Sequence, residues 1–194
     1  MKDRTILIGI DWGASTFRAW AFDEEGEVIG GISVPDGILT HSGDALGRLK
    51  FHINEWLSEW PQVPIIACGG IGGSQGIQNV DHRSVPMMIA DLPKHLAVAH
   101  GIHIVPGLKQ ASPPDVMRGE ETQLFALDES IGAVCFPGTH TKHVTVEHGR
   151  IIGFTTEITG ELRALLTANG GLQTPQDVQQ EFSEAVFREW VEYS

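Results

Sequence analysis

The chain has 194 residues, of which 41% are hydrophobic and 20% charged, as is typical of a folded globular domain. Its 25 acidic residues outnumber its 13 basic ones, and the resulting formal net charge of −12 argues against nucleic acid as a general partner. No apolar run approaches the roughly 18 residues of a membrane span, and the chain starts with a strand pattern rather than a signal peptide, so we expect a cytoplasmic protein with no membrane partner.

The first part of the chain has the pattern of an antiparallel meander. Alternating segments separated by Gly-containing turns predict three strands, at residues 5–10, 17–23 and 27–34. Apolar residues at helical spacing over residues 42–61 then predict an amphipathic helix with Ser42 as a candidate N-cap.

A wholly apolar run at residues 63–69 predicts a central strand covered on both faces. Residues 87–100 predict a helix bent at Pro93, and residues 102–107 predict another strand. Two cysteines, Cys68 and Cys135, lie in apolar strand-like runs, where a thiol is expected to pack as a small hydrophobic group. The order of elements predicts a mixed sheet with helices packed on it.

A second cycle of the same pattern follows a predicted helix at residues 116–129 that opens at Arg118 or Gly119. Strand patterns with Gly turns recur at residues 132–136, 142–147 and 150–158. Two helices are predicted after them, at residues 159–169 and 174–194, and the second domain then looks unfinished.

The first candidate site is the turn GIDWGAST at residues 9–16. The predicted strand leads to Asp11 and a Gly-rich turn. The backbone N–H groups and hydroxyls of such a turn can bind phosphate oxygens, and the Asp11 carboxylate can bind Mg²⁺. The residues concerned are Asp11, Gly13, Ser15, Thr16 and, on the returning strand, Arg18. An ordinary hairpin with an Asp in its turn is the alternative.

A second turn, FPGTHTK at residues 136–142, repeats this arrangement with Gly138, Thr139, His140 and Lys142. Two such turns at equivalent places in two half-domains indicate two loops that close on one polyphosphate, although two unrelated hairpins remain an alternative. His140 and His143 cannot easily chelate one metal ion, since residues three apart on a strand point to opposite faces.

The third candidate site is the segment RGEETQ at residues 118–123, between the two cycles. Adjacent acids at a helix start gain from the helix dipole, which is their structural interpretation. In the functional interpretation, Glu120 or Glu121 takes a proton from an attacking hydroxyl, because phosphoryl transfer mainly requires positioning and charge balance.

These segments together resemble one family. From about residue 6 to about residue 170, GIDWGAST with FRAW, IIACGGIGGSQG, IVPGLKQ, PDVMRGEETQ, FPGTHTKHV and TTEITGEL resemble the 2-dehydro-3-deoxygalactonokinases, which are sugar-acid kinases. The chain is more distantly similar to the actin/hexokinase/Hsp70 ATPase superfamily.

The resemblance implies an α/β ribonuclease H-like (actin-like ATPase) fold, a mixed sheet with helices on both faces. It implies an N-terminal domain at residues 1–117, then a connecting helix and the first part of an incomplete second domain at residues 118–194. It further implies ATP and Mg²⁺ as cofactors, and transfer of the γ-phosphate to the 6-hydroxyl of 2-dehydro-3-deoxy-D-galactonate.

The resemblance also implies roles for individual residues. Asp11 would handle the metal, and the two Gly turns would bind phosphate. Glu121 is favoured over Glu120 as the catalytic base, while Arg18 and Arg118 are candidates for neutralising phosphate or the substrate carboxylate. The substrate side of the first domain would include Gln75, Asp81 and Arg83. The sequence departs from the family pattern at Ile77, at residues 79–86 and at His143. These departures leave the phosphate turns unchanged but bear on which sugar acid is bound.

Members of the family continue beyond the length of this chain, and the additional part supplies most of the adenosine pocket. An incomplete sheet would then be covered by that missing portion or by a homo-oligomer. Two other functions stay open: a non-catalytic sugar-acid binding or interaction module, and a hydrolase of phosphoanhydrides.

Overall fold

The computed structural model describes residues 5–40, 43–127, 132–169, 183–185 and 188. The strands in these residues are β1 (Leu7–Trp12), β2 (Phe17–Phe22), β3 (Val28–Val34), β4 (Ile65–Gly69), β5 (Arg83–Ser84), β6 (Met87–Met88), β7 (Ala97–Ala99), β8 (Ile102–Ile104), β9 (Leu108–Ala111), β10 (Pro114–Met117), β11 (Ala133–Phe136), β12 (Thr141–Glu147) and β13 (Arg150–Glu157). The α-helices are α1 (Ala45–His52), α2 (Asn54–Glu59), α3 (Glu120–Gln123) and α4 (Gly160–Asn169).

A six-stranded mixed sheet forms the first part of the structure, in the order β3-β2-β1-β4-β8-β7. The strands β1, β2 and β3 form the predicted antiparallel meander, and β4 and β8 continue the sheet in parallel with β1. An antiparallel meander followed by parallel strands that need crossover connections is the sheet expected of a ribonuclease H-like fold. The predicted fold class is therefore confirmed.

Helices α1 and α2 cover one face of this sheet. Leu49 and Ile53, each about 1% exposed, pack against Ile8 and Ile10 of the central strand. The predicted single helix is divided in two at Ile53, which has a non-helical φ of −109°. Asp44 caps the first helix by accepting from the backbone N–H of Gly47 at 2.8 Å, and the predicted cap Ser42 lies outside the described residues.

A second hydrophobic core lies on the opposite face of the sheet. It contains Cys68 and Val105. Two short 3₁₀ helices contribute Leu92 and Leu124 to the same core. The sheet thus has helical segments on both faces. Strands β12 and β13 complete this core with the side chains of Val144, Val146, Ile151 and Phe154.

Two predicted helices are wrong in extent or type. Residues 87–100 form β6, a 3₁₀ segment over 89–95 and β7, because Pro93 has no N–H for an α-helical ladder and Ala97 pairs across to Ile104. The helix predicted at residues 116–129 is confined to the single turn of α3 and a 3₁₀ turn, since Pro114–Met117 pairs with β9 instead.

The second meander is confirmed, with β11, β12 and β13 antiparallel and the predicted helix α4 after them. Met87 and Met88 of β6 pair with the far edge of β13, so the first half of the chain also contributes to this sheet. The helix predicted at residues 174–194 lies largely outside the described residues, and the domain boundary after residue 117 stays a prediction. Among the described helices, none has the length and apolarity needed to cross a membrane.

Candidate functional site

The first Gly turn connects β1 to β2 and is held by the segment that follows β3. Gly13 closes the turn by donating its N–H to the carbonyl of Thr16 at 2.9 Å. Ile38 and Leu39 donate backbone N–H groups to the carbonyls of Gly13 and Ala14, at 2.9 and 3.3 Å. The carbonyls of Gly13 and Ala14 are therefore occupied within the structure, while Ala14 and Ser15 of the turn are exposed.

Beneath this turn lies an ion-paired cluster around Asp36. Its carboxylate accepts hydrogen bonds from Arg48 and from Nε2 of His52, the latter at 2.7 Å, and its carbonyl accepts from Nε1 of Trp12 at 2.8 Å. The Arg48 guanidinium also lies over the Trp12 ring, 5.1 Å from its centroid. The cluster therefore connects helix α1 to the residue that precedes the turn.

The second Gly turn connects β11 to β12 and is held by the start of helix α4. Gly160 and Glu161 donate backbone N–H groups to the carbonyls of Gly138 and Thr139, at 3.2 and 3.1 Å. Nε2 of His140 lies 2.6 Å from Oε2 of Glu161. The segment TTEITGEL thus positions this turn, a structural role that its sequence pattern did not reveal.

Two acids at the start of α3 have different surroundings. Glu121 is 0% exposed, and both its carboxylate oxygens accept from the N–H of Gly119, at 2.8 and 2.9 Å. Burial raises the pKa of Glu121 to about 8, against the lowering effect of those backbone hydrogen bonds. Glu120, in contrast, faces an open cleft, and its Oε2 accepts from the backbone N–H of Arg118 at 3.2 Å.

The cleft has a volume of about 700 Å³ and brings most of the candidate residues together. The sequence-predicted residues that line it are Asp11, Gly13, Ser15, Thr16, Arg18, Arg118, Glu120, Gly138, Thr139, His140 and Lys142. Three other candidates do not line it: Glu121 of α3 is fully buried, and Gln75 and Arg83 are exposed outside the cleft. The roles of all these residues stay predictions.

Sequence reasoning missed two polar residues of the cleft, His82 and Gln123. His82 falls in the segment 79–86, which departs from the family pattern, and that departure was the available signal. Burial, and then the charges of Arg118 and Lys109, lower the pKa of His82. Its ring is therefore biased toward the neutral form, which can accept a hydrogen bond as well as donate one.

Ion pairs order the charges in the cleft. Nη1 of Arg18 lies 3.2 Å from Oδ2 of Asp11, and Nζ of Lys142 lies 3.9 Å from Oε1 of Glu120. Each turn is thus followed by a strand that carries a cation, and each cation faces a carboxylate. Such a site can accept additional negative charge through its cations and a divalent cation through its carboxylates.

The donor set fits Mg²⁺ bound together with phosphates. Asp11 has a partly exposed carboxylate at the cleft, and Mg²⁺ is commonly held by one or two carboxylates and substrate phosphates. In the described part of the chain, no group of three His, Cys, Asp or Glu side chains could form a metal site made of protein alone.

Comparison with known proteins identifies the family. The sequence model of the family described as 2-keto-3-deoxy-galactonokinase matches residues 11–194. A Rhizobium meliloti protein assigned as a 2-dehydro-3-deoxygalactonokinase is 36% identical over 163 residues, covering 79% of this chain and 53% of the relative. The 2-dehydro-3-deoxygalactonokinase of Escherichia coli is 32% identical over 166 residues, covering 82% of this chain and 56% of the relative.

A solved structure agrees with these sequence relatives. The crystal structure of a Sinorhizobium meliloti protein assigned as a 2-dehydro-3-deoxygalactonokinase superposes with a TM-score of 0.76 at 34% identity, covering 86% of this chain and 58% of that chain. The chain spans about half the length of the curated relatives that it matches. With the family match extending over nearly all of the sequence, the chain belongs to the 2-keto-3-deoxy-galactonokinase family.

Proposed function

We propose that this chain forms the catalytic cleft of an ATP-dependent sugar-acid kinase, which transfers the γ-phosphate to the 6-hydroxyl of 2-dehydro-3-deoxy-D-galactonate. The observation that carries the proposal is the convergence of both Gly turns, Asp11 and Glu120 on one cleft. The names of the related proteins support the acceptor and the reaction class.

The two turns would hold the triphosphate from opposite sides. Backbone N–H groups and the hydroxyls of Ser15, Thr16 and Thr139 supply hydrogen-bond donors without steric bulk. Arg18 and Lys142 add positive charge to balance that of the transferring phosphoryl group. A loose phosphoryl-transfer transition state needs this kind of positioning and charge balance more than it needs covalent chemistry.

Glu120 is the carboxylate we assign to the acceptor hydroxyl. In the step proposed, the 6-hydroxyl oxygen attacks the γ-phosphorus, the bond from that phosphorus to the ADP oxygen breaks, and the hydroxyl proton passes to Glu120. Glu121 is the candidate favoured by resemblance, but its carboxylate is 0% exposed and bonded to Gly119, so we propose for it the role of fixing the start of α3.

Asp11 is the residue we propose to hold Mg²⁺ in the cleft. When bound, such an ion would neutralise phosphate charge and help to position the γ-phosphate. Nη1 of Arg18 lies 3.2 Å from Oδ2 of Asp11, so this carboxylate has a cation beside it at the cleft.

An ADP-release assay across a panel of 2-keto-3-deoxy sugar acids tests the proposal, on this chain and on a full-length relative. We expect ADP release that depends on the sugar acid and falls at least a hundredfold in Asp11→Asn and in Glu120→Gln. The matched control is Glu147→Gln, an exposed carboxylate on β12 outside the cleft, which should retain full turnover.

Two results would contradict the kinase. Phosphate release from ATP or polyphosphate without any sugar acceptor would indicate a hydrolase. Calorimetric binding of the sugar acid without any ATP binding, in both the chain and the full-length relative, would indicate a non-catalytic binding module.

A further inference from the structure

The second Gly turn is held by the residues that begin helix α4, and these residues do not line the cleft. The backbone N–H of Gly160 donates to the carbonyl of Gly138 at 3.2 Å. The N–H of Glu161 donates to the carbonyl of Thr139 at 3.1 Å. A Cβ added at Gly160 would lie 2.5 Å from the Gly138 carbonyl oxygen, so a larger residue would push the two backbones apart. The turn therefore contacts α4 and also borders the cleft.

Glu161 contacts the turn a second time, through its side chain. Its Oε2 lies 2.6 Å from Nε2 of His140, and His140 lines the cleft. The two side chains are about half exposed, at 48% for Glu161 and 47% for His140. Exposed ion pairs contribute little to the stability of a fold, so fold stability alone is a poor explanation for this contact.

The contact with Glu161 decides which ring nitrogen of His140 carries a hydrogen. A carboxylate accepts hydrogen bonds and does not donate them, so Nε2 is protonated and donates to Oε2. Nδ1 is then the ring nitrogen that is left for a ligand in the cleft. The phosphate oxygens of a triphosphate are acceptors, so they can bond to Nδ1 when the ring is doubly protonated. The carboxylate of Glu161 balances the positive charge of that ring.

The position of Glu161 distinguishes it from the other carboxylates near the phosphate turns. Each of those carboxylates lines the cleft and is paired with a cation there, Asp11 with Arg18 and Glu120 with Lys142. Glu161 is outside the cleft, so it is not placed to bind a metal ion or an acceptor hydroxyl. Its contact with His140 is what connects it to a ligand.

We propose that Glu161 is a positioning residue of the second phosphate turn, which orients the His140 ring so that Nδ1–H donates to the triphosphate. This inference rests on the proposed kinase function, and it deepens that function by adding a residue of α4 to the groups that act on the nucleotide. Glu161 acts on the triphosphate only through His140 and does not touch it.

Calorimetry with inorganic triphosphate and Mg²⁺ tests the positioning role without requiring turnover or recognition of adenosine. In His140→Ala, triphosphate binding should weaken about tenfold to a hundredfold, because a hydrogen bond between charged groups is lost. In Glu161→Ala it should weaken about threefold to tenfold, because the ring remains but is no longer oriented. Glu161→Gln should stay within about threefold of the unaltered protein, since its amide oxygen still accepts from Nε2.

The sign of the effect separates orientation from simple electrostatics. Glu161→Ala removes a negative charge near a polyanion, which by itself would strengthen binding. Weaker binding therefore indicates that the orientation of His140 has been lost. Glu147→Ala, which removes an exposed glutamate from the other end of β12, is the matched control and should bind triphosphate like the unaltered protein.

A double-mutant cycle separates positioning from a merely structural role. If Glu161 acts through His140, Glu161→Ala should have no further effect once His140 is replaced. The double variant should then bind triphosphate within about twofold of His140→Ala. If Glu161 merely holds the backbone of the turn, its replacement would weaken binding by the same factor with and without His140, and that result would overturn the proposal.

The remaining outcomes separate this inference from the proposed kinase function. Absence of triphosphate binding in the unaltered protein, normal binding in His140→Ala, or tighter binding in Glu161→Ala would overturn the positioning role. If phosphate is transferred to a sugar acid while Glu161→Ala binds triphosphate normally, the positioning role alone fails. If triphosphate binding depends on the pair but no sugar acid is phosphorylated, the positioning role stands and the proposed kinase function fails.

Discussion

Nζ of Lys142 lies 3.9 Å from Oε1 of Glu120, which joins the strand after the second Gly turn to the start of helix α3. The Lys142 side chain is only 7% exposed and that of Glu120 is 21% exposed, so this contact is less screened by water than a surface ion pair. It places a cation beside the carboxylate that faces the cleft.

Removing either Lys142 or Glu120 should lower turnover by more than removing one side chain of a surface ion pair would. We expect Lys142→Met and Glu120→Gln each to reduce kcat by about 10²-fold to 10⁴-fold, since one removes charge balance and the other removes the proposed base. The double variant should be little worse than the poorer single variant, because groups that act as a unit are not additive. Steady-state ADP release measures all four proteins, and fully multiplicative losses would show that the two side chains act separately.

Glu121 should make the stability of the protein depend on pH. Its pKa is about 8 in the folded state and 4.5 in its ordinary state, so between these values the folded protein keeps a proton that the unfolded chain has lost. The contribution is fully present below about pH 4.5 and is lost as pH rises toward 8, at up to about 1.4 kcal/mol per pH unit.

The matched comparison is Glu121→Gln, which is neutral at every pH and keeps an oxygen to accept from Gly119. Urea unfolding from pH 5 to pH 8 should show the free energy of unfolding falling more steeply in the unaltered protein than in the variant. The difference between them should reach a few kcal/mol at pH 8. A constant offset across this range would mean that Glu121 does not titrate there.

Local sequence patterns predicted the meanders well, because alternating burial and Gly turns are properties of adjacent residues. The segment 5–34 and the repeat after residue 132 were recognised in this way. The helix predicted at residues 87–100 was wrong because part of this segment pairs with β8 instead. That pairing depends on tertiary contacts, which a local sequence pattern does not reveal.

For the candidate site, sequence patterns singled out both Gly turns and the acids of RGEETQ, and the resemblance favoured Glu121, which the structure buries. Glu120 and Glu121 are adjacent, and only the direction of the first turn of α3 places one at the cleft and the other inside. His82 was missed for a related reason. Its ring lies beside the Arg118 guanidinium, although the two residues are 36 positions apart in the sequence. Neither relationship has a local sequence signature.

The two cysteines should differ in reactivity. Cys68 is buried in the second core, and burial, with Asp11 and Glu121 nearby, raises the pKa of its thiol well above the ordinary value. Cys135 is exposed on β11 at the sheet edge, contrary to the expectation that it packs as a hydrophobic group. In native protein at pH 8, iodoacetamide should modify Cys135 and leave Cys68 intact by mass spectrometry, whereas both should react in urea. Rapid native modification of Cys68 would contradict its burial.

Gly37 lies close against the backbone of the first Gly turn. A Cβ at this position would overlap the carbonyl of Ala14, so Gly37→Ala must displace the turn or the segment that holds it. We expect a loss of about 1–3 kcal/mol in unfolding free energy and weaker nucleotide binding. Gly31→Ala on β3, where the nearest atom to an added Cβ is 3.9 Å away, is the matched control and should change neither. Thermal unfolding and nucleotide titration measure the two effects, and normal binding in Gly37→Ala would show that the turn tolerates the displacement.

Asp36 should stabilise the fold only while it is ionised. The Arg48 guanidinium, with smaller effects of His52 and Thr40, holds the pKa of the Asp36 carboxyl well below its ordinary value of 3.8, despite the opposing effect of burial. A depressed pKa means that this contribution is present above about pH 4 and is lost as the pH falls further. Asp36→Asn should therefore destabilise the protein at pH 7 by about 2–4 kcal/mol, because it removes the negative charge that balances the largely buried guanidinium of Arg48.

The deficit of Asp36→Asn should shrink as acid protonates the aspartate of the unaltered protein. Urea unfolding at several pH values between 7 and 2 measures this convergence, provided that both proteins remain folded without urea at each value. Because the Asp36 carbonyl accepts from Trp12 and the next residue packs on the first turn, we also expect weaker ATP binding at pH 7. A deficit that is independent of pH would assign the effect to altered packing rather than to the ion pair, and unchanged ATP binding would show that the cluster supports the fold without positioning the turn.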